Sequence, residues 1–179
     1  TRPYEIMTTD PDYIYHEELT FDISDIGPQL AAPSSVDNVD DLKAFIGIKI
    51  DQAYLGSCTG GRVEDLGIAA HILKDKKIHP NTRFIVVPAS QKVFLDAMDK
   101  GYIQTLVQAG ATFVTPSCAA CLGTHQGLLA SGETCISSTN RNFPGRMGST
   151  GGGIYLGSPA AVAAAALTGV ITDPIPYLD

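Results

Sequence analysis

The pattern of apolar and polar positions changes near residue 50. Before that point, two acidic, proline-containing stretches flank Leu19–Ser24, where alternating apolar and polar residues predict an edge strand. Pro28 and Pro33 predict an extended connector after it, because proline fixes its own backbone and restricts the residue before it. We therefore expect an irregular lead-in with one edge strand over residues 1–50 and an α/β unit over residues 51–179, all within one domain.

From residue 52 onward, strand-like and helix-like segments alternate. Short apolar segments predict strands over residues 53–56, 83–87, 112–115, 134–137 and 153–156. Apolar residues at helical spacing predict helices over residues 64–74, 91–100 and 102–109, and an alanine-rich helix over 160–168. Such alternation is typical of a mostly parallel sheet covered on both faces. The predicted fold class is therefore α/β, with three α/β/α layers.

Three cysteines follow predicted strands. Cys58 comes directly after the strand at 53–56, and Cys118 and Cys121 follow the strand at 112–115. Because ligands of parallel sheets gather beyond the carboxyl ends of the strands, we expect these cysteines to converge. A closed zinc or iron–sulfur site needs four ligands. Three thiolates indicate instead a cluster that leaves one iron free for chemistry.

Other interpretations of the cysteines stay open at this point. Cys118 and Cys121 could form a redox dithiol without Cys58. A structural zinc ion would need His125 or Cys135 as its fourth ligand, and all of the cysteines could also be buried and inert. Cys135 lies between apolar neighbours of a predicted strand, so we interpret it as a core residue.

A turn rich in arginine follows the strand at 134–137. Asn140, Arg141 and Arg146 lie within seven residues of a turn that contains Pro144 and Gly145. Because a guanidinium can bind a carboxylate through two parallel hydrogen bonds, these three side chains predict a clamp for a di- or tricarboxylate substrate. The alternative is a pair of surface arginines that neutralise nearby acidic residues.

The composition and net charge exclude some classes of binding partner and indicate the redox environment. The net charge is −7, with 12 Lys and Arg against 19 Asp and Glu, so neither nucleic acid nor an anionic membrane is an expected partner. No apolar run approaches the ~20 residues of a membrane span. Four cysteines in a chain of 179 residues, with no export signal, favour thiols in a reducing cytoplasm.

The chain contains three motifs in order: Gly56-Ser-Cys-Thr59, Cys118-x-x-Cys-Leu-Gly123 and Thr139-Asn-Arg-Asn-Phe-x-Gly-Arg-Met-Gly148. These motifs resemble those of the aconitase superfamily. Within that superfamily the chain is most similar to the large subunits of 3-isopropylmalate dehydratases. The resemblance covers essentially the whole chain, and it implies the iron–sulfur domain fold of that family, here as the C-terminal part of a longer large subunit.

The resemblance implies a [4Fe–4S]-dependent hydro-lyase. Cys58, Cys118 and Cys121 would each hold one iron, and Asn140, Arg141 and Arg146 would bind substrate carboxylates. The expected reaction is isomerisation of 2-isopropylmalate to 3-isopropylmalate, by dehydration and rehydration, in leucine biosynthesis. Homoaconitase and the citramalate and dimethylmalate hydratases are alternatives within the family. A non-catalytic zinc or redox module is the alternative from another class.

The resemblance also implies that other chains or domains complete the active site. The family's acidic and histidine residues lie in N-terminal domains of the large subunit, and its serine base lies on a small subunit. We therefore expect a heterodimer, no catalytic acid or base within this chain, no activity from this chain alone, and a cluster that is labile in, or lost from, the isolated domain.

The chain departs from the family pattern at two places. Gly60 stands where asparagine is usual, which removes a polar side chain beside the site. Ala119 and Ala120 stand where Gly-Pro is usual, which changes the stiffness of the turn. We expect the change at Gly60 to bear on the tuning of the site or on substrate preference, and we expect cluster ligation to survive the change at Ala119 and Ala120.

Overall fold

The computed structural model describes residues 3–179, and over these residues the chain folds around one seven-stranded sheet. The strands are Gln29–Ala31 (β1), Val39–Asp41 (β2), Gln52–Gly56 (β3), Arg83–Val87 (β4), Thr112–Phe113 (β5), Thr134–Ser137 (β6) and Gly153–Leu156 (β7). Their order across the sheet is β2-β1-β7-β6-β3-β4-β5. The pairs β7-β6, β6-β3, β3-β4 and β4-β5 are parallel, whereas β1 is antiparallel to both β2 and β7. The predicted α/β class with a mostly parallel sheet is confirmed.

The four predicted helices begin and end close to their predicted positions, and a short helix that was not predicted, Ser57–Gly60, follows β3. In chain order the helices are Ser57–Gly60 (α1), Val63–Leu73 (α2), Gln91–Asp99 (α3), Tyr102–Ala109 (α4) and Pro159–Thr168 (α5). Ser90 and Ser158 start α3 and α5, since each hydroxyl accepts a backbone amide of the first turn at 3.2 Å. No helix within residues 3–179 is long and apolar enough to cross a membrane.

Two cores lie on opposite faces of the sheet, as the alternation of side chains along a strand requires. On β3, Ala53 and Leu55 belong to the core that α2, α3, α4 and α5 cover, whereas Tyr54 belongs to the other. Residues 160–166 of α5 are all buried, because small side chains let this helix pack closely on the sheet and on α2. The second face is covered by loops and by the 3₁₀ turn Ala119–Leu122, so the predicted second helical layer of an α/β/α arrangement is not formed within residues 3–179.

The prediction of an edge strand over Leu19–Ser24 is wrong. Residues 3–27 are exposed and contain no strand, and Leu19, Phe21 and Ile23 are 65–75% exposed. Apolar alternation produces a strand only where a neighbouring strand and a buried face exist, and within residues 3–179 nothing covers these side chains. The sheet edge is formed instead by β1 and β2, and Leu30 is part of the core on the helical face.

Candidate functional site

Cys58 lies on a sharp turn at the carboxyl end of β3. Gly56 has φ +135°, and a Cβ there would lie 2.0 Å from the Val87 carbonyl oxygen of β4, so only glycine fits. Ser57 follows with φ +58°, a left-handed conformation that is strained for a residue with a side chain. The turn leaves the Cys58 side chain exposed beyond the carboxyl end of β3.

Ser138, directly after β6, holds this turn in place. Its hydroxyl accepts a hydrogen bond from the Gly56 amide at 2.9 Å and donates one to the Gly60 carbonyl at 3.2 Å. Both contacts are buried, where an unmade hydrogen bond would cost roughly 1–3 kcal/mol. The conformation around Cys58 is therefore fixed by a residue that lies far away in the chain.

We expect Gly60→Ala to destabilise the protein by about 1–3 kcal/mol through overpacking. A Cβ at Gly60 would lie 2.4 Å from the Ser138 hydroxyl and 2.5 Å from the Ser138 carbonyl oxygen, so backbone must move. Urea denaturation measures the loss. Gly27→Ala is the control, with less than about 0.5 kcal/mol expected, because no atom lies within 4 Å of the position that its Cβ would take. Equal midpoints for the two variants would contradict the close packing at Gly60.

Cys118 and Cys121 lie at the two ends of one tight turn. The Cys121 amide donates to the Cys118 carbonyl at 3.0 Å, and Ala119 between them has φ +44°. Cys118 is exposed, and Cys121 is 3% exposed at the base of the turn. The Tyr54 hydroxyl reaches the same Cys118 carbonyl from the sheet, at 3.1 Å. Burial raises the pKa of Tyr54 well above its ordinary value, and the protonated hydroxyl donates this hydrogen bond.

Arg146 is the member of the predicted clamp that reaches the cysteines. Its Nη2 lies 3.6 Å from the Cys121 Sγ, and its guanidinium lies 5.5 Å from the centre of the Phe143 ring. Its Nε is buried without a hydrogen-bond partner among residues 3–179. Asn140 and Arg141 are exposed, and Arg141 Nη1 donates to the Asn140 carbonyl at 2.7 Å.

Asn142 anchors the arginine turn to the antiparallel edge of the sheet. Its Nδ2 donates to the Ala32 carbonyl at 2.7 Å and to the Ser35 carbonyl at 3.1 Å, in the connection between β1 and β2. Asn142 is 2% exposed, and within residues 3–179 its Oδ1 has no partner. The turn therefore has a rigid support outside the parallel part of the sheet.

One segment, residues 138–146, joins the two cysteine turns. It begins at Ser138, which contacts the Cys58 turn, and ends at Arg146, which contacts Cys121. Three buried side-chain polar atoms lack a hydrogen-bond partner within residues 3–179, and they belong to Ser57, Asn142 and Arg146. Ser57 lies in the Cys58 turn, and Asn142 and Arg146 lie in the arginine turn. Unsatisfied buried groups are rare in folded proteins, so this concentration favours a site for a polar ligand.

Cys135 and His125 do not join this site. Cys135 is fully buried in β6, as predicted for a core residue, and burial raises the pKa of its thiol to about 12. His125 is exposed. In the part of the chain that the structure describes, no group of three or more His, Cys, Asp and Glu side chains is close enough to hold one metal ion. The arrangement therefore does not favour a structural zinc ion.

An iron–sulfur cubane sets a different requirement from that of a single ion. Each thiolate binds a different iron, so the thiolates surround the cluster and need not converge on one point. Cys58 and Cys118 are exposed, Cys121 lies beside Arg146, and both turns flank the same edge of the sheet. These features fit a cluster held by three cysteines.

Comparison with known proteins identifies the family of the chain. The family model for the aconitase family (aconitate hydratase) matches residues 43–169, well over half of the chain. The chain belongs to the aconitase family. It is 50% identical over 177 residues to 3-isopropylmalate dehydratase large subunit 1 of Methanopyrus kandleri, an alignment that covers 99% of this chain and 42% of the relative.

Other aconitase-family relatives carry two different names. The probable methanogen homoaconitase large subunit of Methanosarcina mazei is 51% identical over 172 residues, or 96% of this chain and 43% of the relative. The 3-isopropylmalate dehydratase large subunit of Hydrogenobaculum sp. is 49% identical over 173 residues, or 97% and 41%. The chain thus spans about two fifths of the length of these relatives.

Two residues that support the candidate site, Tyr54 and Ser138, are not among its sequence-predicted residues. The sequence pattern places Tyr54 within a strand and gives Ser138 no role. A tyrosine at the centre of a buried strand is the available signal for the first, since a buried hydroxyl needs a partner. For Ser138, the signal is a serine directly beyond the end of a strand.

Proposed function

We propose that this chain forms the cluster-binding and carboxylate-binding part of a [4Fe–4S]-dependent hydro-lyase that interconverts 2-isopropylmalate and 3-isopropylmalate. The observation that carries the proposal is the segment 138–146, which contacts the Cys58 turn at one end and brings Arg146 within 3.6 Å of the Cys121 Sγ at the other. A substrate carboxylate bound to Arg146 would therefore lie next to a cluster ligand. The names of the dehydratase relatives support this substrate.

Cys58, Cys118 and Cys121 would hold the cluster, one iron each. When bound, the cluster supplies a Lewis-acidic iron, which makes the substrate hydroxyl a better leaving group. The tight turns around these cysteines contribute fixed spacing, because Ser138 holds one and the Cys121 amide closes the other.

The role of Arg146 follows from its unused hydrogen-bonding capacity. Its Nε is buried and unpartnered within residues 3–179, so it can donate to a carboxylate with no competing protein acceptor to displace. A guanidinium that donates from Nε and one Nη fixes a carboxylate in a single orientation. Asn140 and Arg141 are exposed at the start of the same turn and would bind a second carboxylate of the substrate.

Homoaconitase is the second candidate. It is favoured by relatives named probable methanogen homoaconitase large subunits, which are 48% and 51% identical to this chain. Both reactions move a hydroxyl between adjacent carbons of a polycarboxylate, so the same cysteines and arginines would serve either. The remainder of the enzyme, including a small subunit that supplies the base, would select the substrate.

The test is anaerobic reconstitution with iron and sulfide, followed by assay of the enzyme assembled with its small subunit. We expect visible absorbance of a cubane cluster and isomerisation of 2-isopropylmalate, with no turnover by this chain alone. Homocitrate is the comparison substrate. A preference for homocitrate would support the second candidate. Stoichiometric zinc, or failure of the assembled protein to take up iron, would contradict the proposal.

A further inference from the structure

Tyr54 connects the centre of the sheet to the Cys118–Cys121 turn. It is fully buried in β3, between β4 and β6, so its backbone is fixed by hydrogen bonds on both sides. Its ring packs in the core that also contains Ala119, Ala120 and Cys121. The hydroxyl therefore reaches the turn from a rigid base.

The acceptor of the Tyr54 hydroxyl is the atom that closes the turn. The Cys118 carbonyl oxygen receives the Cys121 amide at 3.0 Å and the Tyr54 hydroxyl at 3.1 Å. A carbonyl oxygen has two lone pairs, so both donors can be accommodated together. Tyr54 thereby fixes the peptide plane on which the spacing of the two cysteines depends.

The turn needs such an anchor because its backbone is strained. Ala119 has φ +44°, and a left-handed conformation persists in a residue with a side chain only when its surroundings enforce it. The amide–carbonyl bonds within the turn are local, so they can open without disturbing the sheet. The Tyr54 bond is the contact that ties the Cys118 carbonyl to β3, 64 residues earlier.

We propose that Tyr54 is a positioning residue for the cluster, one that holds the Cys118–Cys121 turn closed and thereby slows loss of the cluster. It acts through the Cys118 carbonyl and is not a catalytic residue. The stabilisation of the turn by Tyr54 follows from contacts within the protein, whereas the slower loss of the cluster rests on the proposed function. The two parts are therefore measured separately.

The variant is Tyr54→Phe, which removes one oxygen and keeps the ring in the core. In the purified full-length protein without iron, hydrogen exchange of the 118–124 segment is expected to speed up about fivefold to tenfold, as loss of one hydrogen bond predicts. Exchange over β3 and β4 should stay unchanged, which a general loss of stability would not allow. Tyr155→Phe is the matched control, because the Tyr155 hydroxyl forms no hydrogen bond with any residue from 3 to 179 and its ring packs on Phe45.

The second measurement is the lifetime of the reconstituted cluster in air, followed by visible absorbance. Outer contacts of metal ligands commonly alter metal affinity by about 10-fold or more, so we expect about tenfold faster bleaching in Tyr54→Phe and no change in Tyr155→Phe. An unchanged hydrogen-exchange rate over residues 118–124 in Tyr54→Phe would overturn the proposal that Tyr54 stabilises the turn. Faster exchange with an unchanged cluster lifetime would overturn the effect on the cluster. Absence of a cluster from the wild-type protein would overturn the proposed function and leave the exchange result as the test of Tyr54.

Discussion

Cys118→Ser is expected to abolish the cubane cluster while leaving the fold intact. A serine hydroxyl stays protonated where a thiol is deprotonated by iron, so the variant offers two strong ligands instead of three. Cys118 is exposed and lies outside both cores, so its replacement should change the free energy of unfolding by less than about 0.5 kcal/mol. Iron content and visible absorbance after anaerobic reconstitution measure the first effect, and urea denaturation measures the second.

Cys135→Ser is the matched control, because it makes the same chemical change at a cysteine outside the site. Cys135 is fully buried in β6 and should tolerate serine less well, with a loss of about 1 kcal/mol. Its cluster should form normally. The two variants thus separate ligation from folding. Cys118→Ser is expected to lose iron and keep its stability, whereas Cys135→Ser is expected to keep iron and lose stability. A full cluster in Cys118→Ser would remove this cysteine from the ligand set.

Arg146→Lys should lower kcat/KM of the assembled enzyme by about 100-fold. Lysine keeps the positive charge but loses the planar pair of donors, and a hydrogen bond to a charged group is worth about 1.5–3 kcal/mol. The buried Nε, unpartnered in the described part of the chain, has no counterpart in lysine. Steady-state kinetics with 2-isopropylmalate and with homocitrate measure the effect, and cluster absorbance confirms that the site is loaded.

Arg83→Lys is the control for that substitution, because Arg83 lies at the amino end of its strand, whereas the candidate site lies at the carboxyl ends. Arg83 begins β4 and pairs through both terminal nitrogens with Glu133 at 2.7 Å, which lowers the pKa of the Glu133 carboxyl. The pair is partly exposed, but Arg83 Nε also donates to Oε1 of the buried Gln52 at 3.1 Å, so the substitution should cost about 1–3 kcal/mol of stability and leave kcat/KM unchanged. A similar fall in kcat/KM for both variants would mean that Arg146 acts through the fold and not through the substrate.

The parallel part of the sheet was predictable because each strand carries its own local signal. Arg83–Val87 is rich in β-branched residues, and Ser90 and Ser158 mark the helix starts that the structure contains. The prediction of a strand over Leu19–Ser24 is wrong for the complementary reason. Its alternation is as regular, but a strand also requires a partner strand and a face to bury, and neither is a property of the segment itself.

The candidate site was predictable only in outline. Motifs placed Cys58, Cys118, Cys121 and Arg146 at the ends of strands, and parallel topology implies that such ends meet. Which side chains hold the turns depends on β6 lying beside β3, an order that periodicity does not specify. The contact of Ser138 with the Cys58 turn follows from that order, and the contact of Tyr54 with Cys118 depends on the position of β5 beyond β4, so both required the folded structure.

Asn142 has a consequence for anyone who would build hybrids of related proteins. Its two hydrogen bonds to the Ala32 and Ser35 carbonyls make the arginine turn and the β1–β2 connection one mechanical unit, although more than 100 residues separate them. Transplanting the turn at 138–146 from a homologue without its own β1–β2 connection would leave the transplanted loop resting on a mismatched surface. The two segments should therefore be exchanged together.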